Sequence, residues 1–122
     1  MDHNILVVED EKGIREAIQI YLKNQGYRVF LAENGQEGLN IIKRETINLA
    51  VVDIMMPVMD GLEAARQIRA MDRPDAKLIP IVAMSANAFQ DDVERSKKAG
   101  INKHIAKPLT GESVIREIKS ML

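Results

Sequence analysis

The sequence contains no cysteine, and its only two histidines, His3 and His104, stand far apart. Disulfides and thiolate metal centres are therefore excluded, and the histidines do not form a zinc motif. An excess of one charge is also lacking, since 17 basic residues face 18 acidic ones for a formal net charge of −1. Such a balance leaves no basic surface to displace counterions from a phosphate backbone, so direct binding to nucleic acid is not expected. No low-complexity tract and no shift of composition signals disorder or a linker. The amino terminus, MDHNILVVEDE, lacks a basic region, and its apolar run, Ile5 to Val8, is too short for a signal peptide or a membrane span. A cytoplasmic protein with no membrane partner is expected.

What is present is a chain of 122 residues, 46% hydrophobic and 29% charged. That is the size of one ordinary domain, able to bury roughly two thirds of the surface its unfolded form exposes. A single domain over residues 1–122 is predicted, ending directly after a last helix with no effector domain. Four apolar runs rich in β-branched residues, Ile5 to Val8, Tyr27 to Ala32, Leu49 to Val52 and Ile79 to Met84, suit strands. Between them the period becomes helical. Ile14, Ala17, Ile18, Tyr21 and Leu22 share one face of a helix over Lys12 to Asn24, which Gly26 is placed to end. Leu39 and Ile42 mark a second helix, and Ala65, Ile68 and Met71 mark a third. A fourth, Phe89 to Ala99, has a narrow apolar stripe, which predicts a loosely held helix, and Gly100 ends it. His104 to Ala106 then reads as a brief fifth strand, and Val114, Ile118, Met121 and Leu122 as a last helix.

Five alternations of strand and helix predict an α/β fold with a doubly wound parallel sheet, joined by right-handed crossovers. In such sheets, sites form beyond the carboxyl ends of the strands. The first strand ends in Glu9 and Asp10, the third in Asp53, the fourth in Ser85 and the fifth in Lys107. Three carboxylates about 5 Å apart would repel by roughly 3 kcal/mol per pair at an effective dielectric of 20. A positive group is therefore required. Lys107 can neutralise one charge, and a hard cation held by carboxylates, water and phosphate oxygens matches magnesium better than calcium. A carboxylate can take up phosphorus as a nucleophile, helped by a metal, a lysine and a hydroxyl.

The acidic pair in VVEDE, together with DIMMPVMDG, AMSA and AKPL in that order at strand ends, resembles the receiver domains of two-component response regulators. The resemblance covers the whole chain. It implies a flavodoxin-like (βα)5 three-layer sandwich of strand order 2-1-3-4-5. By the same resemblance Asp53 is the phosphoacceptor, and Glu9 and Asp10 are metal-side acids. Ser85 is a phosphate-bonding hydroxyl, Lys107 a phosphate-pairing amine, and the Met55 carbonyl completes the magnesium shell, with manganese an acceptable substitute. A cis Lys107–Pro108 bond is also implied. Partners implied are a histidine kinase or phosphotransfer domain and a downstream effector, with a monomer or a phosphorylation-dependent homodimer both open. The front half, through NGQEGL, is similar to receivers that precede winged-helix domains, and SANAFQDDVERSKKAGINKHIAKPL is similar to receivers of hybrid sensor kinases. His104 stands where the family often has an aromatic switch residue, and its imidazole could respond to pH near neutrality. Met55, beside the phosphoacceptor, predicts slow self-hydrolysis of an acyl phosphate.

Plainer readings accompany these. Asp10 could cap the first helix, Ser85 could cap the loop leading to the fourth, Lys107 could be one exposed lysine among many, and His104 could be an ordinary strand residue. Asp60 and Gly61 are explained by a turn into the third helix and carry no chemistry. Met55, Met56 and Met59 are packing or loop residues. Other functions compatible with a strand-end acid are a haloacid-dehalogenase-like phosphatase and a flavodoxin-like cofactor binder. The first needs an acid two positions on, where Met55 stands, and the second a phosphate loop, where EDEKG presents acids. A docking module or phosphate sink is the remaining alternative. The expected activity is that of a switch, limited to its own phosphorylation and dephosphorylation, and not that of an enzyme.

Overall fold

In the computed structural model, which describes residues 3–54, 59–85, 90–106 and 110–122, each predicted aliphatic run forms a strand. These are β1 (Asn4–Val8), β2 (Arg28–Ala32), β3 (Leu49–Asp53), β4 (Ile81–Ser85) and β5 (Lys103–Ala106). They pair in parallel in the order β2-β1-β3-β4-β5, which is the predicted topology. Around them lie α1 (Lys12–Asn24), α2 (Gly35–Arg44), α3 (Gly61–Ala70), α4 (Pro74–Leu78), α5 (Gln90–Ala99) and α6 (Gly111–Met121).

Successive strand residues point to opposite faces, so a strand covered on both sides must be apolar at every position. β3 and β4 are buried throughout, and so is β1 after Asn4. Ile5, Val7, Val51 and Met84 pack with Ile18 and Leu22 of α1 and Val114 and Ile118 of α6. On the other face Leu6, Val8, Val52 and Ala83 pack with Leu39 and Ile42 of α2, Ala65 and Ile68 of α3 and Ala99 of α5. Fully burying one such aliphatic side chain contributes about 2 kcal/mol, so the two cores hold the strand ends in a fixed frame.

The fourth run differs from its prediction. Ile79 does not begin a strand, because Pro74 starts the short helix α4 and Ile79 ends it. The ring of Pro74 presets a helical φ at a first-turn position where no N–H is needed. Pro80 then carries the ladder with its carbonyl alone, accepting from the Ala50 N–H at 2.9 Å, and β4 starts at Ile81. Arg73 pairs with Asp75 at the head of α4, and its hydrogen bond holds the Asp75 carboxyl below its usual range.

Gly26 and Gly100 end α1 and α5 as predicted, with φ of 88° and 93°. After α5 the Gly100 N–H donates to Lys97 at 3.0 Å and the Ile101 N–H to Ser96 at 2.9 Å, the two bonds of a Schellman motif. Arg69 of α3 donates to the Gly100 carbonyl through Nε at 3.1 Å and Nη2 at 2.7 Å. The residues expected to form the narrow stripe of this helix, Phe89 and the side chain of Val93, lie outside what is described, and its carboxyl end buries Ser96 and Ala99.

Candidate functional site

Parallel pairing carries the carboxyl ends of β1, β3 and β4 to one edge. Val8 lies beside Val52, and Asp53 beside Met84, so the residues that follow β1 meet those that end β3 and β4. There Glu9, Asp10 and Asp53 each offer a carboxylate oxygen, all within 4.8 Å of one another. Glu9 is 0% exposed and Asp53 2% exposed, whereas Asp10 is open to solvent. Two buried like charges and a third beside them require a cation or donors close by. Glu9 Oε1 accepts the Glu11 N–H at 3.3 Å, and the Glu9 N–H donates to the Ala32 carbonyl at 3.0 Å.

Ser85 closes the same edge from β4. Its hydroxyl is 4% exposed as a residue and has no hydrogen-bond partner among the described residues. A buried hydroxyl left unsatisfied costs about 1–3 kcal/mol, so the site carries a donor waiting for an acceptor. Asp10 does not cap α1, since the N-cap is Glu11 and no side chain bonds there. Asp60 is the capping acid, accepting from the Glu63 N–H at 2.8 Å, as the turn reading expected. His104 lies on β5 opposite Ala83 with both ring nitrogens buried. The expected contributions of Lys107, Pro108 and Met55 fall outside the described residues.

Two residues without an assigned role shape the site. A Cβ on Gly61 would lie 2.5 Å from the Asp53 carbonyl oxygen, so only glycine lets α3 begin this close to the end of β3. Glycine after a capping acid has many explanations, and this one exists only in three dimensions. Arg15, on the inner face of α1, donates through Nη1 to the Glu9 carbonyl at 2.9 Å. The available signal was a charged residue in the stripe that continues through Ile18 and Leu22.

The donor set is chemically uniform. Ligands of a hard divalent cation sit 2.0–2.6 Å from it and therefore about 3–5 Å from each other, which the three carboxylates satisfy. No soft donor is present among the described members of this cluster, so a hard cation fits and a thiophilic one does not.

Residues 5–119 match the response regulator receiver domain family. The chain belongs to that family. This receiver domain is 31% identical over 122 residues to sporulation initiation phosphotransferase F of Bacillus subtilis, covering all of this chain and 95% of that protein. It is 32% identical over 119 residues to the transcriptional regulatory protein AfsQ1 of Streptomyces coelicolor, covering 98% of this chain and 51% of that one. The chain thus spans about half the length of the transcriptional regulators it matches. Among solved structures, the receiver domain of the sensor histidine kinase PA1611 from Pseudomonas aeruginosa, with a magnesium ion coordinated in its active-site cleft, superposes with a TM-score of 0.88. That domain is 33% identical and is matched over 98% of its length by 99% of this chain. Chemotaxis protein CheY4 of Vibrio cholerae shares the fold, with a TM-score of 0.95, all of both chains covered and 24% identity. Receiver domains are signalling switches, and family membership sets aside the phosphatase and flavin-binder readings. Among the described residues no helix is long and apolar enough to cross a membrane.

Proposed function

We propose that residues 1–122 form one cytoplasmic receiver domain that accepts a phosphoryl group on Asp53 from a histidine kinase or phosphotransfer domain and changes the shape it offers an effector. The observation that carries this reading is the meeting of Glu9, Asp10 and Asp53 within 4.8 Å, at the edge where β4 ends in Ser85, whose buried hydroxyl has no partner among the described residues. Glu9, Asp10 and Asp53 would hold magnesium, with the Met55 carbonyl completing the shell. Bound there, the ion supplies positive charge to the equatorial oxygens of the transferring group.

The chain's own residues do the rest. An oxygen of Asp53 attacks phosphorus as the phosphorus–nitrogen bond of a phosphohistidine breaks, and the electron pair leaves with the imidazole. Burial of Asp53 restricts the approach of water, and the side chain of Met55 adds to that, which lengthens the life of the acyl phosphate. Ser85, whose hydroxyl has no partner among the described residues, donates it to a phosphoryl oxygen, while Lys107 neutralises another oxygen. Each contact exists only in the modified state, so together they draw Ser85 and Lys107 inward. That motion biases the face made by α5, β5 and α6, which a partner reads as a population shift.

The deciding experiment is intact mass before and after a small phosphodonor with magnesium. One phosphoryl group should appear on the parent chain and none on Asp53→Asn, and removal of magnesium should stop uptake. Labelling that persists in Asp53→Asn would overturn the assignment.

A further inference from the structure

We propose that Arg15 is a positioning residue that holds Glu9 and Asp10 in the posture needed to bind a cation, a role that rests on the metal site proposed above. Arg15 is 9% exposed and occupies, with Ile18 and Leu22, the buried stripe of α1. An apolar side chain would pack there without loss, so a buried guanidinium needs an electrostatic reason. Its ion pair does not supply one. Nη2 lies 3.6 Å from Oε1 of Glu33, whose side chain is 66% exposed, and such pairs contribute little.

The stronger contacts are to backbone. Nη1 donates to the Glu9 carbonyl at 2.9 Å and reaches the Asp10 carbonyl at 3.4 Å. A peptide unit is planar, so fixing these two successive carbonyls fixes the planes on both sides of Asp10. The Glu9 N–H is fixed as well, to Ala32 at 3.0 Å. The turn between β1 and α1 is thereby clamped from the α1 side, and both side chains leave it in set directions. Without the clamp, the turn would hold the crowded acids less firmly against their repulsion, since the Glu11 side chain does not cap α1 and the Glu11 N–H reaches Glu9 Oε1 only at 3.3 Å.

Two consequences of removing the guanidinium have opposite sign. Loss of a positive charge near the cluster would favour a cation, an effect reduced because Glu33 faces that charge at 3.6 Å. Loss of the clamp would disfavour the cation, and outer-shell supports of metal ligands are typically worth 10–100-fold in affinity. Positioning should therefore prevail, and the sign of the change decides between the two roles.

The test is calorimetric titration of the full chain with magnesium chloride alone, for the parent, Arg15→Met, Arg15→Lys and Glu33→Gln. Arg15→Met should weaken binding about tenfold. Arg15→Lys, which keeps the charge but not the planar fork, should fall about threefold short of the parent. Glu33→Gln should stay within about twofold of it. A second readout needs no metal: the amides of Glu9 and Glu11 should exchange with solvent about tenfold faster in Arg15→Met, while those of β3 and β4 keep the parent rate. Unchanged or tighter magnesium binding by Arg15→Met, with unaltered exchange at Glu9 and Glu11, would overturn the proposal. If the parent itself fails to bind magnesium, the metal site falls, and the exchange rates alone then decide whether Arg15 holds the turn.

Discussion

The two edges of the sheet are built on opposite terms. At the amino edge, several polar side chains are paired within the chain, the buried Ser96 hydroxyl near the end of α5 being an exception among the described residues. Asn4 and Asn48 exchange bonds, with the Asn4 N–H donating to Asn48 Oδ1 at 2.7 Å and the Asn48 N–H to the Asn4 carbonyl at 2.8 Å. Asn102 Oδ1 takes the Ile81 N–H and Nη2 of Arg69, both at 2.9 Å. Arg69 also serves the Ala76 and Gly100 carbonyls, and Arg73 the Ile42 carbonyl, so the ends of α2, α4 and α5 are tied together there. At the carboxyl edge the same fold gathers three acids and an unsatisfied hydroxyl. Polar groups satisfied within the chain stabilise it, and like charges gathered together mark an edge where a cation fits. One sheet therefore separates the work of holding together from the work of responding.

That separation is broken most severely at Arg69. Burial pushes its guanidinium pKa down, yet the bonds it makes hold it in place. Arg69→Met should remove about 3 kcal/mol of stability, since several charge-assisted bonds are lost at once and water replaces only part of them. The melting temperature should fall by about 10 °C, while magnesium affinity should change by less than about twofold because the site lies at the other edge. A large loss of magnesium affinity in a folded Arg69→Met would show that the edges are not independent. Asp10→Asn is the converse. It should raise the stability of the metal-free protein by about 1.5 kcal/mol, with the exposure of Asp10 keeping the gain well below the full Coulomb term. Saturating magnesium should reverse the ranking, since only the parent then gains the full stabilisation of a bound ion. Paired thermal melts with and without the ion check both signs.

How much of this was legible in the sequence follows from how local each cause is. Strands buried on both faces must read as unbroken aliphatics, so β1 and β3 could be found to within a residue and the acids at their ends picked out. Gly26 and Gly100 were legible because a left-handed turn after a helix is a one-residue event. The start of β4 was not, because Ile79 is as apolar as a strand residue and only the proline at each end of 74–80 shows that a helix intervenes. Gly61 and Arg15 act across elements. The close approach of Gly61 to the Asp53 carbonyl and the reach of Arg15 to the Glu9 carbonyl depend on packing that no short stretch of sequence contains. Lys107 and Ser85 were assigned by position at strand ends; Ser85 ends β4 at the edge with the acids, and Lys107 lies outside the described residues.

Ser85 sharpens the comparison with the smallest expected change. Its hydroxyl is buried at the carboxyl edge and bonds to nothing among the described residues, whereas the side chains of Asn48 and Asn102 at the amino edge are paired. Replacing a satisfied polar group loses a bond, but Ser85→Ala removes only an unmet donor and leaves a methyl group in a strand buried at every position. Stability of the metal-free protein should therefore rise, by about 1 kcal/mol, instead of falling as most buried substitutions make it fall. Phosphoryl uptake should move the other way, because the hydroxyl's acceptor is absent until Asp53 is modified. Chemical denaturation and labelling kinetics on the same variant would show the two signs together. A loss of stability in Ser85→Ala would mean that the hydroxyl is already satisfied in the resting protein, and the carboxyl edge would then be less primed than its geometry indicates.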